Sequence, residues 1–217
     1  PARTEQPRCR QQPPHQLQSP TPVMNEKASR RRLGLAARRS LTEAERDELS
    51  LSIASHVAAA RQWHRAQHIA SYLPAADEVN SWPLTERAWR MRKRIYVPVL
   101  GRGSHMRFAE LSRTSRLVRN RYGLLEPDCG KEIDPRSLDL VLTPLVAFDD
   151  RGNRIGMGGG YYDRAFAFLN HRDRYRRPKL IGLAFTCQRT GDLCASRWDI
   201  PLFQVYTEFG PAVEDSP

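Results

Sequence analysis

The chain has 217 residues, with 35 Lys and Arg against 24 Asp and Glu and a formal net charge of +11 at pH 7. No apolar run of about 18 residues occurs, which excludes a membrane-spanning helix; the basic balance favours anionic partners such as a nucleotide or a polyanionic metabolite. Cys9, Cys129, Cys187 and Cys194 form no CxxC pair and show no zinc spacing, so a reduced cytoplasmic chain is expected rather than a disulfide scaffold.

Residues 1–23 are rich in Pro, Gln and Arg and nearly free of apolar side chains, which predicts a disordered leader without a secretory signal. The first Met is Met24, where natural translation is expected to begin. One domain is expected over 24–210, with a tail over 211–217. Residues 25–39 carry Lys27, Arg30, Arg31, Arg32, Arg38 and Arg39. The 3.6-residue period sets Lys27, Arg31 and Arg38 broadly on one side. A solvated helix, an RNA-binding arm and a clamp for phosphates all fit that pattern.

Thr42-Glu43-Ala44-Glu45 is a capping box. It predicts a helix through about Trp63, with Leu49, Ile53, Val57 and Ala60 as its apolar stripe. His56, His64 and His68 include a four-residue spacing but no HExxH, so they read as ordinary helix-surface or core residues. Residues 68–73 (HIASYL) predict a buried strand, followed by a loop over 75–80. In open α/β sheets such a loop sits at the carboxyl end of a strand, where ligands bind. Glu78 is therefore a site candidate, beside the plainer reading of a solvated carboxylate. A helix over 82–92 presents Trp82, Leu84, Ala88 and Met91 to the core, and residues 94–100 (RIYVPVL) form the next strand. Strand, helix, strand makes a βαβ unit and an α/β class. Residues 106–111 alternate as a half-exposed strand, and 120–127 form a loop with a short extended piece. Further strands are expected over 179–185 and 205–209.

The richest stretch runs from residue 138 to 168, LDLVLTPLVAFDDRGNRIGMGGGYYDRAFAF. An apolar strand leads into turn chemistry at 149–153, then into Arg154 and the glycines, then into a helix from Tyr161 through Ala165, Phe166 and Leu169. Glycine backbone can approach an anion closely, and a helix N-terminus adds partial positive charge. The glycines match neither a Walker A loop nor a dinucleotide fingerprint. Taken alone they fit a phosphate loop or a plain tight connection. Arg154 and Asp163 on either side supply a phosphate-pairing cation and a magnesium-type carboxylate.

TPLVAFDDRGNRIGMGGGYYDR closely resembles the signature of 5-formyltetrahydrofolate cyclo-ligases. Further blocks agree in order. They are Lys27-x3-Arg31 with Arg38-Arg39-Ser40-Leu41, SYLPAADEVN over 71–80, KRIYVPV over 93–99, GLLEP over 123–127, and the C-terminal pieces around Gln188, Trp198-Asp199-Ile200-Pro201 and Thr207-Glu208. The resemblance implies a single three-layer α/β/α, Rossmann-like domain with a mostly parallel sheet. It implies ATP- and Mg²⁺-dependent closure of 5-formyltetrahydrofolate to 5,10-methenyltetrahydrofolate, with ADP and phosphate released. Lys27, Arg31 and Arg154, with the backbone of Gly156, Met157, Gly158, Gly159 and Gly160, would bind ATP. Tyr161 and Tyr162 would line the junction of nucleotide and formyl group, and Arg154, Tyr162 and Asp163 would serve catalysis. Leu73, Glu78, Tyr122 and Met157 would meet the folate, and Asp163 and Asp199 would hold Mg²⁺. Folate polyglutamates suit the basic surface, and the working state is expected to be a monomer. Met157 and Gly159 stand where some relatives carry larger polar residues. The cation missing at Gly159 leaves Arg154 or Arg164 to compensate, and Gln204 falls near a common Asp. Aromatic residues do not interleave with the N-terminal basic residues, so no nucleic-acid partner is expected.

Overall fold

The computed structural model describes residues 22–101, 105–120, 123–172 and 177–213, with side chains from residue 26 onward. It opens on a long basic helix, α1 (Pro22–Ser40), followed by α2 (Glu43–Ala59). The capping box forms as predicted. The Thr42 hydroxyl accepts from Glu45 N at 3.2 Å, and the Glu45 carboxylate accepts from Thr42 N at 2.7 Å. The single helix expected through Trp63 is instead two. Ala60 takes extended backbone with ψ of 142°, and α3 (Arg61–Arg65) restarts beyond it. The second helix buries Trp63 completely. No glycine or proline marks the break, so packing sets it rather than local preference.

The expected βαβ unit is present as β1 (His68–Ala70), α4 (Trp82–Arg90) and β2 (Arg94–Leu100). β1 and β2 are parallel, with Ile69 opposite Ile95. β1 ends three residues earlier than predicted. Leu84 and Ala88 of α4 face the core, but Met91 is exposed and Thr85 is buried in its stead. β3 (Met106–Leu111) returns antiparallel to β2 and is mostly buried, not half-exposed. The chain continues through β4 (Leu117–Arg119), β5 (Leu125–Pro127) and β6 (Glu132–Ile133), of which β4 and β6 carry no clear sequence signal. The apolar run over 138–148 splits into β7 (Leu140–Pro144) and β8 (Ala147–Phe148), and β8 pairs with β9 (Arg154–Ile155) in a hairpin. α5 (Tyr161–Ala165) follows, then β10 (Lys179–Leu183), β11 (Gln204–Thr207) and β12 (Gly210–Pro211). The edge strand β12 takes in part of the expected tail. Buried Gln204 fixes it, donating to Val213 O at 2.9 Å and accepting from Val213 N at 2.8 Å.

The main sheet has the order β12-β11-β10-β7-β1-β2-β3-β6, with its five central strands parallel. Alternation along each strand sends successive residues to opposite faces. Ile69, Ile95, Leu140, Leu142 and Ile181 join α2 and α4 in one core layer. Ala70, Tyr96, Val141 and Leu180 join Phe148, Phe166 and Val205 in the other. The second face is covered by the one-turn α5 and the 3-10 helix after it (Ala167–His171) rather than by long helices. Strand order reverses between β1 and β7, because β2 lies to one side and β10 and β11 to the other. That reversal opens a crevice at the carboxyl ends, where open α/β sheets bind ligands. No helix among the described residues is long and apolar enough to cross a membrane.

Candidate active site

One face of α1 lies along the carboxyl ends of the strands and sends three cations into three loops. Lys27 Nζ reaches Asp199 Oδ2 at 2.6 Å and Ser196 Oγ at 3.0 Å. Arg31 Nε donates to Gly156 O at 2.8 Å. Arg38 Nη2 meets Asp77 Oδ2 at 3.0 Å, and its Nη1 donates to Leu145 O at 3.3 Å. Gly34 makes the close approach possible, since a Cβ there would sit 2.4 Å from Val146 O. The periodicity that grouped Lys27, Arg31 and Arg38 thus marks the face that α1 turns to these loops.

The glycine loop leaves the β8–β9 hairpin, not the central strand β7. Buried Asp149 builds the hairpin turn by accepting from Arg151 N, Asn153 N and Leu193 N at 2.8–3.0 Å. β9 then delivers Arg154. Its Nη2 lies 2.8 Å from Asp163 Oδ1 and its Nη1 donates to Ile200 O. Ile200 N adds a second bond to the same Asp163 oxygen at 3.2 Å. The Arg154 side chain is 6% exposed, with both terminal nitrogens engaged. Arg164, one of the two cations expected to compensate at Gly159, donates its Nη2 to Gly159 O at 2.5 Å. Gly158 has φ of +97°, a dihedral that favours glycine, and a Cβ there would make only ordinary contact, 3.5 Å, with the Arg31 guanidinium. The helix after the loop is a correction. α5 has five residues, too few aligned peptides to offer a phosphate much dipole. The side-chain cations carry that charge instead.

Across the crevice, Glu78 accepts from Ala75 N at 3.0 Å and lies 3.9 Å from Arg38 Nη1. Burial pushes its carboxyl above the ordinary glutamate range, against the pull of the Ala75 N–H and Arg38. Tyr162 stacks on Phe166 with centroids 6.3 Å apart. Its hydroxyl is buried without a hydrogen-bond partner among the described residues. Burial, then the Glu78 charge, raise that phenol far above its usual range. Leu73 packs half-buried against the larger core layer. Met157 is 65% exposed in the glycine loop, and Tyr161 lies half-buried beside it with the Arg164 guanidinium 5.3 Å from its ring centre. Tyr122 lies outside the described residues.

No group of three His, Cys, Asp or Glu gathers among the described residues. Asp163 and Asp199 are each tied through one oxygen to a cation and a backbone N–H. The second oxygens, Asp163 Oδ2 and Asp199 Oδ1, accept no hydrogen bond among these residues. Two such hard oxygens fit a Mg²⁺ ion, which keeps most of its water and takes its other ligands from phosphates. Sequence reading missed Ser196, the Ile200 carbonyl and the placement of Arg38 at the strand-order reversal. Only Arg38 carried a signal, seven residues beyond Arg31 on the same face.

A family model described as the 5-formyltetrahydrofolate cyclo-ligase family matches residues 23–208. The chain belongs to that family. It is 37% identical over 174 residues to the 5-formyltetrahydrofolate cyclo-ligase of Escherichia coli strain K12, spanning 78% of this chain and 93% of that one. The Haemophilus influenzae cyclo-ligase is 32% identical over 172 residues, covering 77% and 90%. An Aquifex aeolicus 5,10-methenyltetrahydrofolate synthetase structure aligns with a TM-score of 0.74 at 28% identity, over 88% of this chain and 94% of that one. The chain is therefore an enzyme with the α/β fold of those synthetases, and the crevice under α1 is its candidate active site.

Proposed function

We propose that the enzyme converts 5-formyltetrahydrofolate to 5,10-methenyltetrahydrofolate using ATP, with Mg²⁺ at the triphosphate, and releases ADP and phosphate. One observation carries this reading. A single face of α1 brings Lys27 and Arg31 onto the carboxylates and the glycine loop, while the same face reaches the Glu78 loop across the strand-order reversal.

A formamide oxygen is a poor leaving group. Attack of the formyl oxygen on the γ-phosphorus forms a C–O–P linkage and expels ADP. N10 of the same folate then adds to the formyl carbon and loses its proton to solvent. The C–O bond breaks, and phosphate departs with the electron pair. The protein's work is positioning and charge neutralisation. Lys27 and Arg31 exchange Asp199 and the Gly156 carbonyl for phosphate oxygens, and the N–H groups of residues 156–160 cradle the remainder. Arg154 orients Asp163 rather than gripping phosphate. Asp163 and Asp199 would hold Mg²⁺, which would supply positive charge to the transferring group. Tyr161, Tyr162 and Met157 line the junction of nucleotide and formyl group. Glu78 accepts from the pterin ring beside Leu73. The basic surface suits polyglutamate tails, and the enzyme acts as a cytoplasmic monomer.

The test is absorbance at the methenyl-folate band, with purified protein, 5-formyltetrahydrofolate and Mg²⁺, with and without ATP. An ATP-dependent rise abolished by chelator is expected. A flat trace from folded protein overturns the reading.

A further inference from the structure

Arg38 is 3% exposed, and arginine is almost never that buried unless it is paired. Its pairing spans the strand-order reversal. Nη1 reaches the Leu145 carbonyl just after β7, which also accepts from Gln188 Nε2 at 2.9 Å. Nη2 holds Asp77 in the loop after β1. Nη1 also lies 3.9 Å from Glu78 Oε1. Nε is shielded from solvent and has no partner among the described residues, a costly arrangement for a buried donor unless the site makes use of it.

The groups facing Glu78 can be named from each side. α1 presents Arg38; α5 presents Tyr162; the loop itself presents Tyr72 and Asp77, and Arg39 on α1 bonds Asp77 at 3.1 Å. Tyr72 is held by Val79 O at 2.8 Å. Arg38 is thus the cation nearest the Glu78 carboxyl, opposed by a carboxylate on the neighbouring residue.

We propose that Arg38 is the positioning residue for Glu78: it locks the 71–80 loop across the reversal and keeps the Glu78 carboxyl ionised, as an acceptor, in the folate crevice. This rests on the reading that Glu78 meets the pterin ring. Without Arg38, Glu78 keeps only Asp77 as a charged neighbour and takes up a proton at higher pH. It then presents a hydroxyl donor where the pterin N–H needs an acceptor.

The experiment uses the full chain and two readouts. The first needs no folate. The Glu78 carboxyl is titrated by ¹³C NMR, assigned through Glu78→Gln, and its midpoint should lie higher in Arg38→Gln than in wild type. The second is the dissociation constant of 5-formyltetrahydrofolate against pH. Arg38→Gln should weaken binding about tenfold or more at neutral pH, the scale of a lost charged hydrogen bond. Affinity should recover as pH rises, and adding Glu78→Gln should abolish that recovery. An unmoved Glu78 midpoint, or a loss equal at every pH, overturns the proposal. Arg38→Lys keeps the charge without the planar fork, and guards against a variant that fails to fold. It should hold the midpoint in place while weakening folate uniformly; a midpoint that moves with charge retained also overturns the proposal. Wild-type protein that binds no folate would refute the pterin reading instead, while the NMR midpoint still decides whether Arg38 governs Glu78.

Discussion

The two ends of the α1 footprint use the same residue class for opposite purposes. At the Lys27 end, the ammonium and its Asp199 partner are each 24% exposed. Ion pairs so open to water contribute little to stability, so on the proposed reading their partners can exchange for a ligand's phosphates. At the Arg38 end the guanidinium is buried and bridges two strand loops. Removing one member of a buried pair strands the other, at about 3–5 kcal/mol. One helix therefore carries an exchangeable grip at one end and a fixed frame at the other. The difference lies in solvent access, not residue type.

The largest effect should come from the carboxylate that shares the proposed metal position with Asp199. Asp163→Asn keeps an acceptor for Arg154 and Ile200 N, so the fold should hold. It removes negative charge from the proposed metal position, needed mainly in the transition state. Turnover should fall about a hundredfold or more, with the folate KM little changed. Initial rates across folate concentrations check this, and unchanged turnover would remove Asp163 from the chemistry.

The frame end should respond through binding instead. Glu78→Ala should raise the folate KM about tenfold or more and leave ATP affinity alone; a change in ATP affinity only would refute the pterin assignment. The adjacent carboxyls Asp77 and Glu78 sharpen the contrast further, because they shift in opposite directions. Burial raises Glu78 above its unfolded value. Its contribution to stability is present at acid pH and lost as pH rises through the folded value. Burial also acts on Asp77, but hydrogen bonds from Arg38 and Arg39 outweigh it and hold the carboxyl low. Its stabilisation is present above the unfolded value and lost on acidification. Glu78→Gln should therefore raise Tm near neutral pH and converge with wild type in acid. Asp77→Asn should lower Tm near neutral pH and converge in acid from below.

How far the sequence reaches follows the same divide between local and tertiary causes. β2 and β3 are bounded as the alternation predicts, and the capping box fixes the start of α2, because neighbours in sequence decide those features. The break at Ala60 follows from packing, and the edge strand β12 from the buried side chain of Gln204, a residue that sequence places on the surface by default. In the site, the motif placed Arg154, Asp163 and the glycines on one stretch, and the family resemblance brought Lys27 and Glu78 to it. What it could not give was the wiring. Lys27 meets Asp199 across 172 positions, and Arg154 faces a carboxylate rather than open solvent. Arg38 was legible as one of three cations on a helix face but not as buried, since composition places an arginine on the surface by default.

Two smaller changes separate the helix that carries the grip from the one that only supports it. Gly34→Ala sets a methyl against the Val146 carbonyl, and backbone cannot rotate aside. Overpacking of this kind costs about 1–3 kcal/mol, and here the strain falls on the helix that aims Lys27 and Arg31. Its ATP KM should rise along with the loss in Tm. Thr42→Ala removes the α2 cap hydroxyl, worth about 1 kcal/mol. That cap is exposed and touches none of the three α1 cations, so Tm should fall slightly while kcat and both KM values stay at wild type. A kinetic change in Thr42→Ala matching that of Gly34→Ala would mean that α1 is aimed by its whole surroundings, and not by its close contact with Val146.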